Sequence, residues 1–316
     1  SVAQANSISL EAGPYDYGRA GLQYGSELGE HRVGINLQAV HSNGYRDATG
    51  DEQQKLGLIY EGQVGAWQVT NTISATSLKQ ETGGFVRGFE AYESGSLRDT
   101  NPNPEAYRDA WAVRAACRGQ RENLSLTPYI RRSHMAFLQH FLPGQPLETN
   151  AQTSLGALLG YDLETGALNW HFGAQLEGMQ AKLKEFQSGP TQGSPFLVAT
   201  RPAGLHYDYE VDSVMVAAFY DMDWQVNDEW RLVHSARLER LDYDYDNLTL
   251  IGNTRDDGTT CGFGGCRYTR PADRDDDYTD WAGRLGVERN FDFGQAYLSV
   301  GTGFRAPQAT ELYRLQ

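Results

Sequence analysis

The sequence predicts an all-β fold, a transmembrane antiparallel up-and-down β-barrel with about 14 strands. Three observations predict it. Apolar and polar residues alternate along many segments, short connections alternate with long ones along the chain, and the composition is polar. The 316 residues have a mean hydropathy of −0.56 and include 35 glycines and 18 tyrosines. A barrel with a wet interior has such a composition, because half of each strand's side chains face polar surroundings.

The alternation is clearest between Leu168 and Glu177, where every second residue is apolar. The apolar set there is Leu168, Trp170, Phe172, Ala174 and Leu176, and shorter runs of the same kind lie at 35–39, 232–239, 281–288 and 296–305. Successive side chains of a strand point to opposite faces, so each segment is predicted to be a strand with one apolar and one polar face. A soluble β-sandwich alternates too, so this pattern alone does not separate a sandwich from a barrel.

The connections separate these folds. Short turns are predicted at Gly29–Glu30, Gly62–Gly65, Gly119–Glu122, Glu164–Gly166, Asn227–Asp228 and Asp292–Gly294. Long polar segments lie between them, at 41–52, 79–109, 133–150, 180–206 and 243–277. Outer-membrane barrels alternate tight periplasmic turns with long extracellular loops in this way. A sandwich has no reason to place a long loop at every second connection, and the sequence lacks the ~40–45-residue repeat of a β-propeller.

Aromatic residues lie near the ends of the predicted strands. They are Tyr24, Tyr45, Tyr60, Trp67, Tyr161, Trp224, Trp230 and Trp281. Such residues fit the girdles that a membrane barrel places at headgroup level. The alternative is that they reflect the general preference of aromatic residues for strands.

Charge and motifs exclude several classes of function. The net charge of −14 argues against nucleic acid as a partner, because nucleic-acid binding requires a basic surface. No stretch approaches the ~18 apolar residues of a membrane helix. The polar residues from Ser1 onward do not form a signal peptide, so any export signal is expected to have been removed or to lie outside this sequence. No nucleophile elbow, P-loop, zinc-protease motif or Cys-x-x-Cys occurs, which predicts that the protein is not an enzyme.

The three cysteines are Cys117, Cys261 and Cys266. Cys261 and Cys266 lie in a glycine-rich segment and are predicted to form a small loop disulfide in an oxidising compartment. A metal site is the alternative, but no further cysteine or histidine is near enough in sequence to complete a ligand set. Cys117 is predicted to be free.

Acidic residues cluster twice. One group is Asp242, Asp244 and Asp246, which alternation places on one face of an extended segment, and the other is Asp273, Asp275, Asp276 and Asp277. Either group could hold Ca²⁺ through hard oxygen ligands, although the spacing is not that of an EF-hand. The alternative is a solvated acidic loop, repelled from anionic lipopolysaccharide unless cations bridge the two.

The segment from Val300 to Tyr313 reads Val-Gly-Thr-Gly-Phe-Arg-Ala-Pro-Gln-Ala-Thr-Glu-Leu-Tyr. It resembles a motif of the TonB-dependent outer-membrane receptors, in which Gly-Phe-Arg-Ala-Pro is followed by three variable residues and Glu-Leu-Tyr. The matching residues, called the box below, are Phe304, Arg305, Ala306, Pro307, Glu311, Leu312 and Tyr313. Pro307 also has a physical role, since proline cannot donate to a strand ladder and marks the start of a loop.

The resemblance implies a barrel of roughly 22 strands with an N-terminal plug domain. Residues 1–316 show no plug and end just after the box. They are therefore expected to be one domain, a barrel fragment that lacks the plug and the C-terminal strands.

The resemblance also implies a function. A receptor of this family would sit in the Gram-negative outer membrane, contacting lipid and lipopolysaccharide, and would import a scarce ligand when the TonB complex acts through the plug. Ferric siderophores are the expected ligand, and no covalent chemistry and no cofactor are expected. The candidate ligand-binding residues are Arg108, Arg131, Arg132, Arg305, Tyr107, Tyr243 and Tyr313, which could supply charge and stacking. Each could equally be a barrel-lining residue that pairs with an interior carboxylate.

Other functions remain open at this point. A haem receptor carries a similar box, and a cobalamin receptor would give the aspartate clusters a calcium-binding role. A passive porin or a surface adhesin could share the strand and loop pattern, although neither explains the box. An outer-membrane hydrolase is the enzyme alternative, against which the missing nucleophile motif argues.

Overall fold

A computed structural model of the chain describes residues 6–315, so both ends of the predicted 1–316 domain lie outside the described residues. The strands are β1 (Ser7–Gly13), β2 (Tyr17–Leu28), β3 (His31–Ser42), β4 (Asp51–Val64), β5 (Trp67–Glu81), β6 (Tyr107–Arg121), β7 (Leu124–Leu138), β8 (Leu147–Thr165), β9 (Leu168–Gln187), β10 (Gly204–Gln225), β11 (Trp230–Asn247), β12 (Arg274–Phe291) and β13 (Gly294–Thr302). Two short helices accompany them, α1 (Pro195–Thr200) and α2 (Ala309–Tyr313).

The strands form one antiparallel sheet in which each strand pairs with the next along the chain. The predicted all-β, up-and-down fold is therefore confirmed, and the described residues 6–315 form 13 strands where about 14 were predicted. Within residues 6–315 the sheet stays open, since its edge strands β1 and β13 do not pair with each other. In the same part of the chain no helix is long and apolar enough to cross a membrane.

The connections alternate as predicted. The short-turn end of the sheet consists of 29–30, 65–66, 122–123, 166–167, 226–229 and 292–293. The long-loop end consists of 43–50, 82–106, 139–146, 188–203 and 248–273, together with a tight turn at 14–16 and the chain after β13. Gly166 shows why glycine recurs at the tight turns, because its φ of 66° lies in a region that side chains disfavour.

The strands extend further toward the long loops than the sequence suggested. β9 and β10 leave a loop of 188–203, whereas the predicted loop was 180–206. At these strand ends one face carries charged residues such as Lys182 and Glu210, while the other carries Leu183 and Tyr209. Apolar and polar residues therefore still alternate here, but the apolar residues have moved to the opposite face. A prediction that expects them on one face throughout ends the strand too early.

The register gives the sheet two distinct faces. Leu22, Leu37, Leu176 and Val216 lie on the face that we call the apolar face, and each is exposed. Tyr24, Tyr161, Trp224, Trp230 and Trp281 lie on it too and are also exposed. The opposite, polar face carries Gln175, Glu177 and Arg237 in its middle part. An exposed apolar face of this extent marks a surface that contacts protein or membrane.

Candidate functional site

Tyrosines fill the polar face at the long-loop end. Tyr207 and Tyr209 on β10, and Tyr243 and Tyr245 on β11, are all buried there. They alternate in sequence with acidic residues, and because a strand's side chains alternate between faces, the acidic residues lie on the apolar side of the sheet instead. The tyrosines form the core cluster together with Leu183, Val211 and Tyr268.

An ion pair joins the two halves of the box after β13. The Arg305 guanidinium donates to both carboxylate oxygens of Glu311, at 3.0 and 2.8 Å, and the backbone N–H of Gln308 donates to the same carboxylate at 2.8 Å. These contacts stabilise the start of α2 as a capping box does. The two halves of the motif, which three residues separate in sequence, are therefore joined through one ion pair.

Tyr313 anchors the box in the tyrosine cluster. Its ring stacks on Tyr245 with centroids 4.1 Å apart, and its hydroxyl donates to Asp276 at 2.8 Å. The side chain is fully buried, and this burial, together with the Asp276 carboxylate, raises the pKa of the Tyr313 hydroxyl. From β11, the Tyr243 hydroxyl donates to the carbonyl of Pro307 at 3.2 Å. The box thus packs onto the polar face rather than extending the sheet.

Arg314, directly after the box, forms ion pairs with residues of two strands. Its guanidinium lies 2.7 Å from Glu148 on β8 and forms a second, shorter ion pair with Glu185 on β9. The Glu185 carboxylate is fully buried and also contacts Arg201 at 3.4 Å and His206 at 3.1 Å. A buried carboxylate needs such partners, because an unpaired charge away from water is costly.

The sequence matches the family described as TonB dependent receptor-like, beta-barrel, over residues 5–315. The chain belongs to this family. Its receptors are transporters rather than enzymes, so the prediction that the protein is not an enzyme is confirmed, and family membership implies the Gram-negative outer membrane. No curated protein sequence is similar enough to match the chain.

Solved structures of TonB-dependent receptors share the fold. The open form of the ferric-catecholate import receptor Fiu from E. coli K12 superposes with a TM-score of 0.67 at 15% identity, covering 95% of this chain and 54% of Fiu. The siderophore receptor PiuA from Acinetobacter baumannii gives 0.67 at 11%, covering 94% and 49%. The ferric yersiniabactin uptake receptor FyuA from Yersinia pestis gives 0.62 at 13%, covering 93% and 46%. The chain thus spans about half the length of each receptor, and identities this low show the fold alone.

The predicted ligand-binding residues lie in separate places. Tyr243 and Tyr313 meet in the tyrosine cluster, and Arg305 is exposed beside Glu311. On the polar face, Arg108 lies over the Phe137 ring with its guanidinium 4.4 Å from the centroid, and Arg131 forms an ion pair with Glu177.

Two further candidate ligand-binding residues lie on the opposite side of the sheet. The register places Tyr107 and Arg132 on the same side of the sheet as the apolar face, so they do not join the residues above. The seven candidates therefore do not form one site.

The two acidic clusters lie side by side on β11 and β12, where the register pairs Asp242 with Asp277 and Asp244 with Asp275. Asp242, Asp244 and Asp246 point the same way from β11, but residues two apart along a strand are separated by about 6.6 Å. Asp242 is bound by Arg240 at 2.7 Å, and Asp276 by Arg274 at 2.8 Å. Within residues 6–315 no group of three or more histidine, cysteine, aspartate or glutamate side chains could hold a metal ion. The calcium alternative therefore has no geometric support.

A cavity that no sequence pattern predicted lies at the short-turn end. Its volume is about 600 Å³, and its charged lining from the polar face consists of Asp162, Glu164, His171, Asp221, Asp223, Arg231, Arg284 and Glu288. Arg231 joins Asp223 and Glu288 across three strands. Partners this distant in sequence leave no local pattern, so periodicity could place them on one face but could not bring them together.

The structure joins Cys261 and Cys266 in a disulfide within the loop 248–273, and leaves Cys117 free. The loop packs on α1, where the N–H of Gly262 donates to the carbonyl of Ala199 at 3.1 Å.

Replacing both bridged cysteines with serine should lower the free energy of unfolding by about 2 kcal/mol, because a short loop is no longer closed in the unfolded chain. Denaturant unfolding with and without reductant measures this. A double-serine variant that remains as stable as the oxidised protein would contradict it.

The Arg305–Glu311 pair predicts a local pH dependence. Hydrogen bonds from Arg305 and from the Gln308 backbone hold the pKa of the Glu311 carboxyl below its usual range. A lowered folded-state pKa stabilises the fold above the ordinary glutamate pKa of about 4.3, and this is lost as the pH falls through the folded value. The protection factor of the Gln308 amide, which is the observed exchange rate relative to the intrinsic rate at the same pH, should therefore fall when Glu311 is protonated. In Glu311→Gln the same amide should exchange independently of this titration, and a retained pH step there would contradict the assignment.

Proposed function

We propose that this chain is the larger part of the barrel of an outer-membrane receptor that imports a ferric siderophore with energy from the TonB complex. The box carries the proposal, since it matches the family motif and packs by Tyr313 against the polar face at the long-loop end, where the following Arg314 also binds. That end is where a barrel of this family would meet ligands outside the cell.

The strands are proposed to cross the membrane with the apolar face toward lipid and lipopolysaccharide. The polar face would then line the interior through which the ligand passes. TonB would act through a plug region that residues 1–316 are proposed not to contain. No nucleic acid is expected as a partner at a net charge of −14.

A ferric siderophore is favoured by charge and by the named relatives. Fiu, PiuA and FyuA are named as receptors for ferric-catecholate, siderophore and ferric yersiniabactin uptake. Many ferric siderophores are anionic, and Arg108 and Arg131 on the polar face could bind such ligands if they exchange their present contacts. Tyr107, Arg132, Arg305, Tyr243 and Tyr313 remain weaker candidates, because they are buried, paired or on the other side of the sheet.

Growth on single nutrients tests the ligand class. Cells with and without the full-length receptor would be grown on a panel of ferric siderophores, haem and cobalamin as sole sources. Loss of growth on one ferric siderophore is the expected result. Loss on haem or cobalamin alone would replace the siderophore with that ligand, and unchanged growth on the whole panel would contradict the proposal for these ligands.

A further inference from the structure

A buried histidine contacts two of the long loops. These are 188–203, called the α1 loop here, and 248–273, called the disulfide loop. His206 follows the α1 loop at the start of β10, where the register with β9 shifts between Leu205 and Tyr207. Such a bulge re-aims the side chain of its extra residue. The His206 imidazole accordingly turns to the polar face, where it is fully buried.

Both ring nitrogens of His206 face an acceptor. Nδ1 lies 3.1 Å from a carboxylate oxygen of Glu185, and Nε2 lies 2.8 Å from the backbone carbonyl of Pro202. A carbonyl only accepts, so Nε2 carries a hydrogen. The guanidinium groups of Arg201 and Arg314 also donate to the Glu185 carboxylate and keep it ionised, so Nδ1 must donate as well. A histidine that donates through both nitrogens is an imidazolium cation.

The same imidazole ring contacts both loops. Pro202 belongs to the α1 loop, and Tyr268 of the disulfide loop stacks on the His206 ring with centroids 4.4 Å apart. A positive charge is attracted to the face of a tyrosine ring. The loops also bind each other, because the N–H of Arg267 donates to the carbonyl of Thr200 at 2.8 Å. The protonated ring therefore connects both loops to β9.

Loss of one proton would break this arrangement. A neutral imidazole has one N–H, so either the Glu185 carboxylate or the Pro202 carbonyl would lose its donor and face a nitrogen lone pair. Both residues are buried, and a buried acceptor without a donor costs free energy. The contact with Tyr268 would weaken as well, because a neutral ring brings no positive charge to its face. Deprotonation therefore weakens the attachment of both loops in one step.

The charged and titratable groups around the ring come from every element packed against it. They are Glu185 of β9, Arg201 of the α1 loop, Tyr207 of β10, Tyr268 and Arg270 of the disulfide loop, and Arg314, which also binds Glu148 of β8. Guanidinium groups stay charged throughout, whereas ordinary carboxyls titrate near about pH 4 and ordinary tyrosines near about pH 10. Histidine is the side chain that changes charge between about pH 5 and 8. A pH change within that range therefore alters the charge of His206 and not that of its partners.

We propose that His206 is a proton-controlled latch for the α1 loop and the disulfide loop. While the ring is protonated it holds both loops on the polar face, and loss of the proton as the pH rises releases them together. The stabilisation is thus present on the acid side of the histidine titration and is lost on its alkaline side. Both loops lie at the long-loop end, but the latch depends only on contacts within this chain and on no imported ligand.

Hydrogen exchange of the full-length receptor in detergent, without ligand, tests the latch. Protection factors in both loops would be measured by mass spectrometry from about pH 5.5 to 8.5, the range in which histidine titrates. They should fall about tenfold in both loops with one shared midpoint, because one charge-assisted hydrogen bond is lost. In His206→Gln, which is neutral at every pH, the step should vanish and the protection factors should stay at the low value. His134→Gln is the matched control, since His134 stacks on Trp111 on the opposite side of the sheet, and it should keep the step.

Three results would overturn the proposal. Protection in the wild type could stay constant over this pH range, or the step could survive in His206→Gln. The two loops could also change with separate midpoints, which would show that no single group holds both. The shared midpoint is measured on the wild type, so the latch stays testable if His206→Gln does not fold. Loop protection is measured without ligand, so its outcome is independent of the nutrient that the receptor imports.

Discussion

Replacing Tyr313 with alanine is expected to lower the free energy of unfolding by about 3–5 kcal/mol, the usual cost of removing a fully buried aromatic side chain. The ring stacks on Tyr245 and is fully buried, so its loss leaves a cavity where the box meets β11. The last residues of the box should then detach from the polar face. Denaturant unfolding of the full-length receptor in detergent measures the loss.

Tyr313→Phe is the matched control. It keeps the ring but removes the hydroxyl that donates to Asp276, so it should cost only about 1 kcal/mol. If alanine and phenylalanine had equal effects, the hydrogen bond rather than the buried ring would anchor the box, which would contradict this account.

Replacing Arg314 with methionine should cost about 3 kcal/mol, because it leaves carboxylates without their main partner in a buried place. Glu185 is fully buried, and Glu148 is nearly so. Arg201 and His206 remain beside Glu185, so the expected loss lies at the lower end of the range for a broken buried pair. Denaturant unfolding measures this loss too, and protease cleavage in the loop 188–203 should rise in parallel.

An exposed arginine provides the control for Arg314. Arg98 pairs with its neighbour Asp99 at 3.2 Å, with both side chains more than half exposed. Arg98→Met should therefore cost at most about 1 kcal/mol. Equal losses for the two substitutions would show that the buried network contributes nothing beyond a surface ion pair.

The sequence predicted the sheet because its signals are local. Alternation at 168–177 and turns such as Glu164–Gly166 depend on neighbouring residues, and β8 and β9 meet there as expected. The loop boundaries were less accurate, since at the long-loop end Tyr209 lies on the polar face while Glu210 lies on the side of the apolar face. A prediction that expects apolar residues on one face throughout a strand therefore places the end of the strand too early.

The interior contacts could not be predicted in the same way. The box was visible as a motif, but neither Tyr245 beneath Tyr313 nor Glu148 beside Arg314 has any sequence relation to it. Glu148 and Arg314 are 166 positions apart, so no local sequence pattern links them. The seven candidate ligand residues were likewise chosen by type, and the register then divided them between two faces.

Uptake of an iron isotope, supplied as the ferric siderophore identified by growth, tests the central claim most directly. It would be measured in cells with the full-length receptor, in cells lacking it, and in cells lacking TonB. The account predicts surface binding in both strains that carry the receptor, but accumulation inside the cell only where TonB is also present. Accumulation that persists without TonB would contradict a TonB-energised receptor and would instead favour a passive pore.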